Sequence, residues 1–401
     1  MRDKVLVLGS SFGGLTAALA VKHELHGDVD VEVIAPVDRF VFNPSLIWLP
    51  FGKRDTEDLS FPVSPIFADH GIDFTVGAAT AVDPDQHQVT TADGVQHRYD
   101  HLVIATGYRN ALDAVPGLAE NGATITSLED AVHAREKWRT FLRTPGDVVV
   151  GAAAGASCFG AAYEFLFNTS YQLRKHGLHD RVRLHYVTAE PELGHFGIGG
   201  LPHGESLLGM FTRKEGIEVH VGAQITGVDS DEVVLADGTA IPSAYSMVVP
   251  PFVGQQVVHD SPALGGDAKG YVPVRGTYQT EKYDDVYTVG IAAAVPVPWQ
   301  TAIPVGIPKT GYPTEVQAHT AAKNIAAQIR GERPEHEQPF ADIKAICVMD
   351  AGNNGVVILA DKMLPPRKHG VLVPGPQAHA MKLAFERYFI WKVKHGYVQL
   401  P

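Results

Sequence analysis

Cys158 and Cys347 are the only cysteines in 401 residues. Two thiols can form a disulfide that opens by exchange with an incoming sulfur nucleophile, or they can fill a core as small apolar groups. Their surroundings favour the first use. Cys158 follows Val148-Val149-Val150-Gly151-Ala152-Ala153-Ala154-Gly155-Ala156-Ser157 and precedes Phe159-Gly160, an apolar strand that turns through small residues into a helix. A helix start carries partial positive charge, which lowers a thiol pKa and raises the share of reactive thiolate. Cys347 lies in Ala345-Ile346-Cys347-Val348-Met349-Asp350, a strand leading into the turn Ala351-Gly352-Asn353-Asn354-Gly355. A reducing compartment leaves little use for a structural staple, so the two read as a redox pair or as inert core residues.

The elements that must position these thiols begin at the N-terminus. Lys4 to Leu8 reads as a strand, Gly9-Ser10-Ser11-Phe12-Gly13-Gly14 as a glycine turn, and Leu15 onward as a helix. Gly9 permits the tight turn, Gly13 and Gly14 permit close helix packing, and the helix start offers free N–H groups to a diphosphate. Ser11 stands where a middle glycine is usual. Strand Val31 to Ile34 ends in Ala35-Pro36 where an acidic ribose partner is expected, and Asp38 comes late, so that contact is left unassigned. Tyr99 to Ile104, closed by Ala105-Thr106-Gly107, and Asp285 to Val289, closed by Gly290, supply the two returns expected of an FAD-binding domain. The second glycine loop has Ala153 and Ala156 at glycine positions, which argues against a nicotinamide cofactor.

These pieces predict an α/β chain of two Rossmann-like dinucleotide-binding domains and a C-terminal interface or membrane-docking segment. Residues 1–110 with 266–330 form the FAD-binding domain, 111–265 the second, substrate or redox domain, and 331–401 the C-terminal segment with its redox cysteine and amphipathic helix. Helices are expected over Leu128 to Leu142, Phe159 to Lys175 and Thr314 to Ile329, with a strand over Val182 to Val187. A hydrophobic content of 45% supports cores for that many units. The net charge of −12 and the lack of long basic runs argue against a nucleic-acid partner. No metal site is expected. Met1-Arg2-Asp3-Lys4 leads straight into the first strand, and no apolar run is long enough to span a bilayer, so the expected location is cytoplasmic.

From His379 to Tyr397 the apolar residues Met381, Leu383, Phe385, Tyr388, Phe389, Ile390, Trp391 and Val393 exceed what one buried stripe needs. Lys382, Arg387, Lys392 and Lys394 lie among them. The segment reads as an interface-seeking helix, or as an oligomer or domain-docking helix.

Read together, the chain resembles the sulfide:quinone oxidoreductases, which are disulfide-reductase-like FAD flavoproteins related to flavocytochrome c sulfide dehydrogenase. The resemblance rests on Gly155 to Gly160 with Tyr163-Glu164, Gly194-His195-Phe196-Gly197-Ile198, Pro308-Lys309-Thr310-Gly311-Tyr312, Cys347 in its turn, and Leu383 to Phe389. It implies oxidation of sulfide to polysulfide or sulfur, with electrons passed through FAD to a membrane quinone, at the inner face of the cell membrane. Cys347 would be the thiol that attacks the flavin and Cys158 the one that carries the growing sulfur chain. Glu164, about half a rotation from Cys158 on the helix, reads as a surface carboxylate or a proton acceptor in the sulfide channel. His195, one of 19 histidines, reads as a structural residue or, as the resemblance implies, a second proton acceptor. Lys309 would stabilise the reduced ring's negative charge, and Phe385 and Phe389, at i and i+4, would flank the quinone.

Two departures from the family matter. Its third cysteine is replaced by Thr126 and its following histidine by Asp130, with His133 nearby. Thr126 and Asn43 cannot form a thioether, so noncovalent FAD is expected. The chain ends at Pro401, where many members continue into a further amphipathic helix, so membrane attachment is expected to be weaker or to need a homodimer. The alternatives are a soluble sulfide or persulfide dehydrogenase that feeds a haem protein, and a nonenzymatic flavin or polysulfide sensor.

Overall fold

The computed structural model describes residues 2–399. Its first sheet is parallel. Strand β1 (Lys4–Leu8) is flanked by β2 (Asp30–Ala35) and β4 (His101–Ile104), with β3 (Asp73–Val76) beyond β2 and β12 (Val286–Thr288) beyond β4. Val7 pairs with Val33 on one side and Val103 on the other, and such central strands read as continuous β-branched runs because both faces are covered. Helix α1 (Phe12–Glu24) packs along α5 (Gly311–Ile329) through buried alanines of both helices. Two glycines make the first turn possible. Gly9 has φ +107°, and a Cβ there would sit 2.3 Å from the Ala105 carbonyl oxygen; a Cβ on Gly14 would sit 1.8 Å from that of Gly9.

The second sheet is also parallel, in the order β7 (Glu218–Val221), β6 (Leu184–Thr188), β5 (Val148–Ala152), β11 (Tyr245–Val249). Helices α2 (Leu128–Phe141), α3 (Phe159–Lys175) and α4 (Gly204–Lys214) cover one face, packing Trp138, Phe165 and Leu208 into a shared core. An antiparallel meander of β8 (Ile225–Val228), β9 (Glu232–Leu235) and β10 (Ala240–Pro242) covers the other face. The two chain crossings between the sheets run side by side, Arg109–Asn110 pairing with Phe252–Val253. Strand β6 begins two residues later than expected because the Val182 N–H donates back to Leu178, closing the turn after α3. Helix α5 begins three residues early, at Gly311; Pro313 is tolerated because first-turn N–H groups have no intrahelical partner.

The C-terminal unit is an antiparallel sheet of β13 (Ala345–Asp350), β14 (Gly355–Ala360) and β15 (Gly370–Pro374), followed by α6 (Pro376–Lys394). Helix α6 stops at Gly396, φ +68°, with the Tyr397 N–H on the Lys392 carbonyl and the Gly396 N–H on Val393, a Schellman closure. Its buried face carries charge. Lys382, Glu386 and Lys392 are inside, paired with Glu164, Arg54 and Glu315, while Met381, Phe385 and Trp391 face outward. No helix among the described residues is long and apolar enough to cross a membrane.

Removing one partner of a buried pair strands the other charge, at about 3–5 kcal/mol. Lys392 Nζ lies 3.0 Å from Glu315 Oε1, and burial already raises the Glu315 pKa against the opposing pull of Lys392. Lys392→Met is therefore expected to lose that much stability in denaturant titration. The double variant K392M/E315L should recover most of it, and equal midpoints for all three proteins would refute the assignment.

Candidate active site

A diphosphate cradle forms where β1 runs into α1. Ser11 is the N-cap residue of α1, its hydroxyl makes no capping bond, and no acidic side chain lies in the first turn, so the N–H groups there remain available. Beside it, Gly107 (φ +72°) faces open space, and the buried Thr106 hydroxyl has no hydrogen-bond partner. Gly290 (φ +71°) closes β12 and donates its N–H to Gln317 at 2.6 Å. These donors and glycines fit FAD. Lys309 Nζ donates to the carbonyls of Ile291 and Ala293 at 2.7 and 2.8 Å, with the Tyr271 ring 3.6 Å away, and burial lowers its pKa to about 7. Asp38 is spent elsewhere, accepting from the Val63 and Ser64 N–H groups and the Ser64 hydroxyl.

The second glycine loop is closed to a pyrophosphate. The Gly155 N–H donates to the Pro304 carbonyl at 2.6 Å, and the Gly306 N–H donates to Ala156 at 2.8 Å, so residues 304–306 lie across the loop. Past the end of β6, Glu190 accepts from the Phe196 N–H at 2.7 Å and from the Tyr163 and Thr188 hydroxyls, each at 2.9 Å. Burial lifts its pKa to about 7.

Cys158 is the N-cap residue of α3, and Cys347 lies on β13 opposite Ile358. Both are free thiols in this structure; the Cys158 charge disfavours a Cys347 thiolate, and both thiols feel the same Glu164 and Lys382. The expected low pKa of Cys158 is overturned. Burial pushes its thiol up, and the bond from the Ala161 N–H at the helix start only partly offsets this. Burial raises Cys347 to about 12. Cys347 is nevertheless exposed by surface area, so the rise comes from the protein packed around part of it and not from full enclosure.

Glu164 is not a surface carboxylate. It is buried between the two thiols' elements, where Oε1 accepts from Lys382 Nζ and, at 2.6 Å, from the Asp350 N–H at the end of β13. Burial raises its pKa and Lys382 opposes the rise. Asn168 ties the same elements together, donating to the carbonyls of Glu164 and Asp350 at 2.9 and 3.1 Å. Burial alone would raise the Asp350 carboxyl, but donors from Trp48 at 2.8 Å and His379 at 2.6 Å hold it below its usual value. Lys382 and Asp350 escaped the sequence reading. The available signal was the i, i+4, i+7, i+11 stripe Lys382, Glu386, Phe389, Val393, which puts two charges on the buried side of α6.

The other expected residues are more dispersed. His195 is buried in the loop after β6, edge-on to Trp299 at 4.9 Å; its Nδ1 has no partner, and burial, then Arg367, lowers its pKa. Phe389 is 3% exposed, packed on Phe12, Phe40 and Phe42, and only Phe385, 43% exposed, is open. Thr126 sits in a closed polar cluster. Its hydroxyl donates to Asn110 at 2.9 Å, its carbonyl accepts from Tyr108 and Asn43 at 2.6 and 3.2 Å, and Asn110 donates to Asp130 at 2.8 Å. His133 is exposed on α2.

Comparison with known proteins follows the same lines. Residues 3–306 match the pyridine nucleotide-disulphide oxidoreductase family. The chain is 34% identical to the sulfide-quinone reductase of Aquifex aeolicus over 99% of its own length and 92% of that protein. The X-ray structure of the sulfide:quinone oxidoreductase from Aquifex aeolicus superposes with a TM-score of 0.94, covering 98% of this chain and 92% of that one. A mitochondrial sulfide:quinone oxidoreductase of Dictyostelium discoideum is 29% identical over 73% of this chain and 66% of that protein.

Opposite charges at the site push the thiols in opposite directions: Glu164 raises both pKa values and Lys382 lowers them. Glu164→Gln should therefore move the pH profile of iodoacetamide alkylation of the reduced protein to lower pH, and Lys382→Met to higher pH. Each unit of displacement corresponds to about tenfold in rate at fixed pH. Superimposable profiles for the three proteins would remove Glu164 and Lys382 from the thiol site.

Proposed function

We propose that this chain, which belongs to the sulfide:quinone oxidoreductase family of the pyridine nucleotide-disulphide oxidoreductases, oxidises sulfide through Cys158 and Cys347 and passes the electrons to a quinone. The observation that carries this is the convergence of both thiols on one buried Glu164–Lys382 pair, at the junction of the second sheet with the C-terminal unit.

In the oxidised protein, hydrosulfide attacks a Cys158–Cys347 disulfide, or its sulfur-bridged form. One S–S bond breaks, one forms, Cys347 leaves as a thiolate, and Cys158 becomes a persulfide, or from the bridged form a chain one sulfur longer. Lys382 supplies positive charge to that leaving thiolate, and Glu164 takes the proton of the incoming sulfur species. His195, kept neutral by burial, is the second proton acceptor. Bound FAD supplies a two-electron acceptor between sulfur and quinone. Ser11, Gly13, Gly14, Thr106, Gly107 and Gly290 would hold it, and Lys309 would offer its ring an amine that is fully cationic only below about pH 7. Thr126 and Asn43 are committed to each other by hydrogen bonds and carry no sulfur, so the flavin is held without a covalent link.

Phe385 is the open aromatic contact for the quinone, and Phe389 backs it at 5.5 Å. Met381, Phe385 and Trp391 give α6 an exposed apolar surface beside exposed Arg387 and Lys394, and Val371 and Val373 are exposed on β15. This surface suits peripheral contact with the inner face of a membrane. It favours a lipid-borne quinone over a water-borne haem protein as acceptor.

With residues 304–306 across the second loop and Glu190 saturated by donors, NADH should not bleach the flavin at a useful rate in stopped-flow mixing, while sulfide should. Comparable bleaching by both would overturn the reading of that loop. The thiol assignment is tested by Cys158→Ser, Cys347→Ser and the double variant, assayed for quinone reduction at matched flavin content with sulfide varied. Each single variant should lose roughly a thousandfold or more, and the double should be little worse, because residues acting as a unit are non-additive. Retained turnover in both single variants would withdraw the sulfide function.

A further inference from the structure

We propose that His185, Glu218 and His220 form a site for one borderline divalent cation, of which zinc is the prototype, clamping edge strand β7 to β6. The site lies on the sheet face away from α3 and does not depend on the thiol chemistry above. Strand register brings it about. His185 on β6 is the direct partner of Glu218 on β7, and His220 follows two residues later, so all three side chains leave the same face. His185 Nδ1 lies 3.5 Å from Glu218 Oε2 and 3.5 Å from His220 Nε2, and the three atoms are all within 4.8 Å of one another. Hydrogen bonds at nitrogen prefer about 2.7–3.2 Å, so these contacts are long for proton sharing. Tetrahedral coordination with bonds of about 2.0–2.1 Å places ligand atoms about 3.3–3.4 Å apart, close to the two separations from His185 Nδ1, while the third pair lies within 4.8 Å.

The chemistry of the donors agrees with the spacing. Two imidazoles and a carboxylate suit zinc and its neighbours rather than magnesium or calcium, which take oxygen ligands. His185 is 95% buried by side-chain area, and its Nε2 has no partner, so Nδ1 is the nitrogen it has turned to other groups. The nearest strong cation does not compete for the carboxylate: Arg183 is engaged by Asp147, Nη2 to Oδ2 at 2.6 Å. Glu218 is half exposed, which leaves the outer side of the site open for water as the fourth ligand. No other cluster of this kind occurs among the described residues. In the sequence the three residues carry no motif spacing, since His185 and Glu218 meet only through the parallel pairing of β6 and β7.

The test uses the flavin-loaded full-length protein, freed of divalent ions with a chelator and alkylated at both cysteines so that the thiols cannot bind metal. Calorimetric titration with Zn²⁺ alone should give one equivalent per chain for the unmutated protein and none for His220→Ala. Glu218→Gln should weaken binding by roughly tenfold or more. Saturating Zn²⁺ should raise the melting temperature of the unmutated protein and leave that of His220→Ala unchanged. His220 and Glu218 lie on the open side of the site, and retained flavin absorbance confirms that their variants fold. The same Zn²⁺ stoichiometry and the same thermal response in all three proteins would overturn the proposal.

Discussion

The buried pair Glu164–Lys382 is the constraint on which the rest of the arrangement depends. It joins three parts of the chain that are far apart in sequence: helix α3, which begins with Cys158; strand β13, whose Asp350 N–H shares the same carboxylate oxygen; and helix α6. Two charges taken out of water gain little net stability from each other, but losing either one is expensive. The consequence is positional. Neither helix can shift along the other without stranding a charge, so the two thiols keep their relation to each other and to the pair. The two further pairs along α6, Glu386 with Arg54 and Lys392 with Glu315, extend the same logic to the first domain. That is why the helix turns its charges inward and presents its apolar side chains outside.

Burial and helix position make opposite demands on Cys158, and burial wins. One N–H bond and a partial helix charge favour the thiolate, but a desolvated thiolate beside the Glu164 carboxylate is disfavoured by more. A thiol held this way is a poor resting nucleophile. In the proposed reaction the reactive sulfur arrives from outside, and a Cys158–Cys347 disulfide would be the group that receives it. A thiolate that leaves into the same setting needs a cation or a proton, and in the proposed reaction Lys382 would supply the charge and Glu164 would move the proton.

Much of the scaffold was legible because it is written locally. The first turn follows from Gly9, Gly13 and Gly14, the limits of α3 coincide with the expected Phe159 to Lys175, and the α/β class follows from the order of strands and glycine turns. What escaped is written at long range. The half-rotation between Cys158 and Glu164 suggested an exposed carboxylate, because nothing local says that β13 and α6 will cover that side of α3. Phe389 looked equivalent to Phe385 by spacing, yet it lies over Phe12 at the head of α1 and is consumed as core. The charges of α6 find their partners 77, 218 and 332 positions away, for Lys392 with Glu315, Lys382 with Glu164 and Glu386 with Arg54, so nothing local shows that they are buried.

The two glycine loops show how one local fold can be put to different uses by where its N–H groups go. Both follow a buried parallel strand and open a helix, and in isolation both would favour an anion. At the first, the donors of α1 stay free and a neighbouring hydroxyl, Thr106, is left unpaired. At the second, Gly155 is bonded to the chain at Pro304, and the Ala156 carbonyl is bonded back by Gly306. The acid past the following strand, Glu190, is filled by donors from Tyr163, Thr188 and Phe196, which pins the loop that carries His195. Closing this loop from within removes a phosphate site and leaves the head of α3 facing the C-terminal sheet, which is the geometry a thiol at that position needs in order to meet a second thiol on β13.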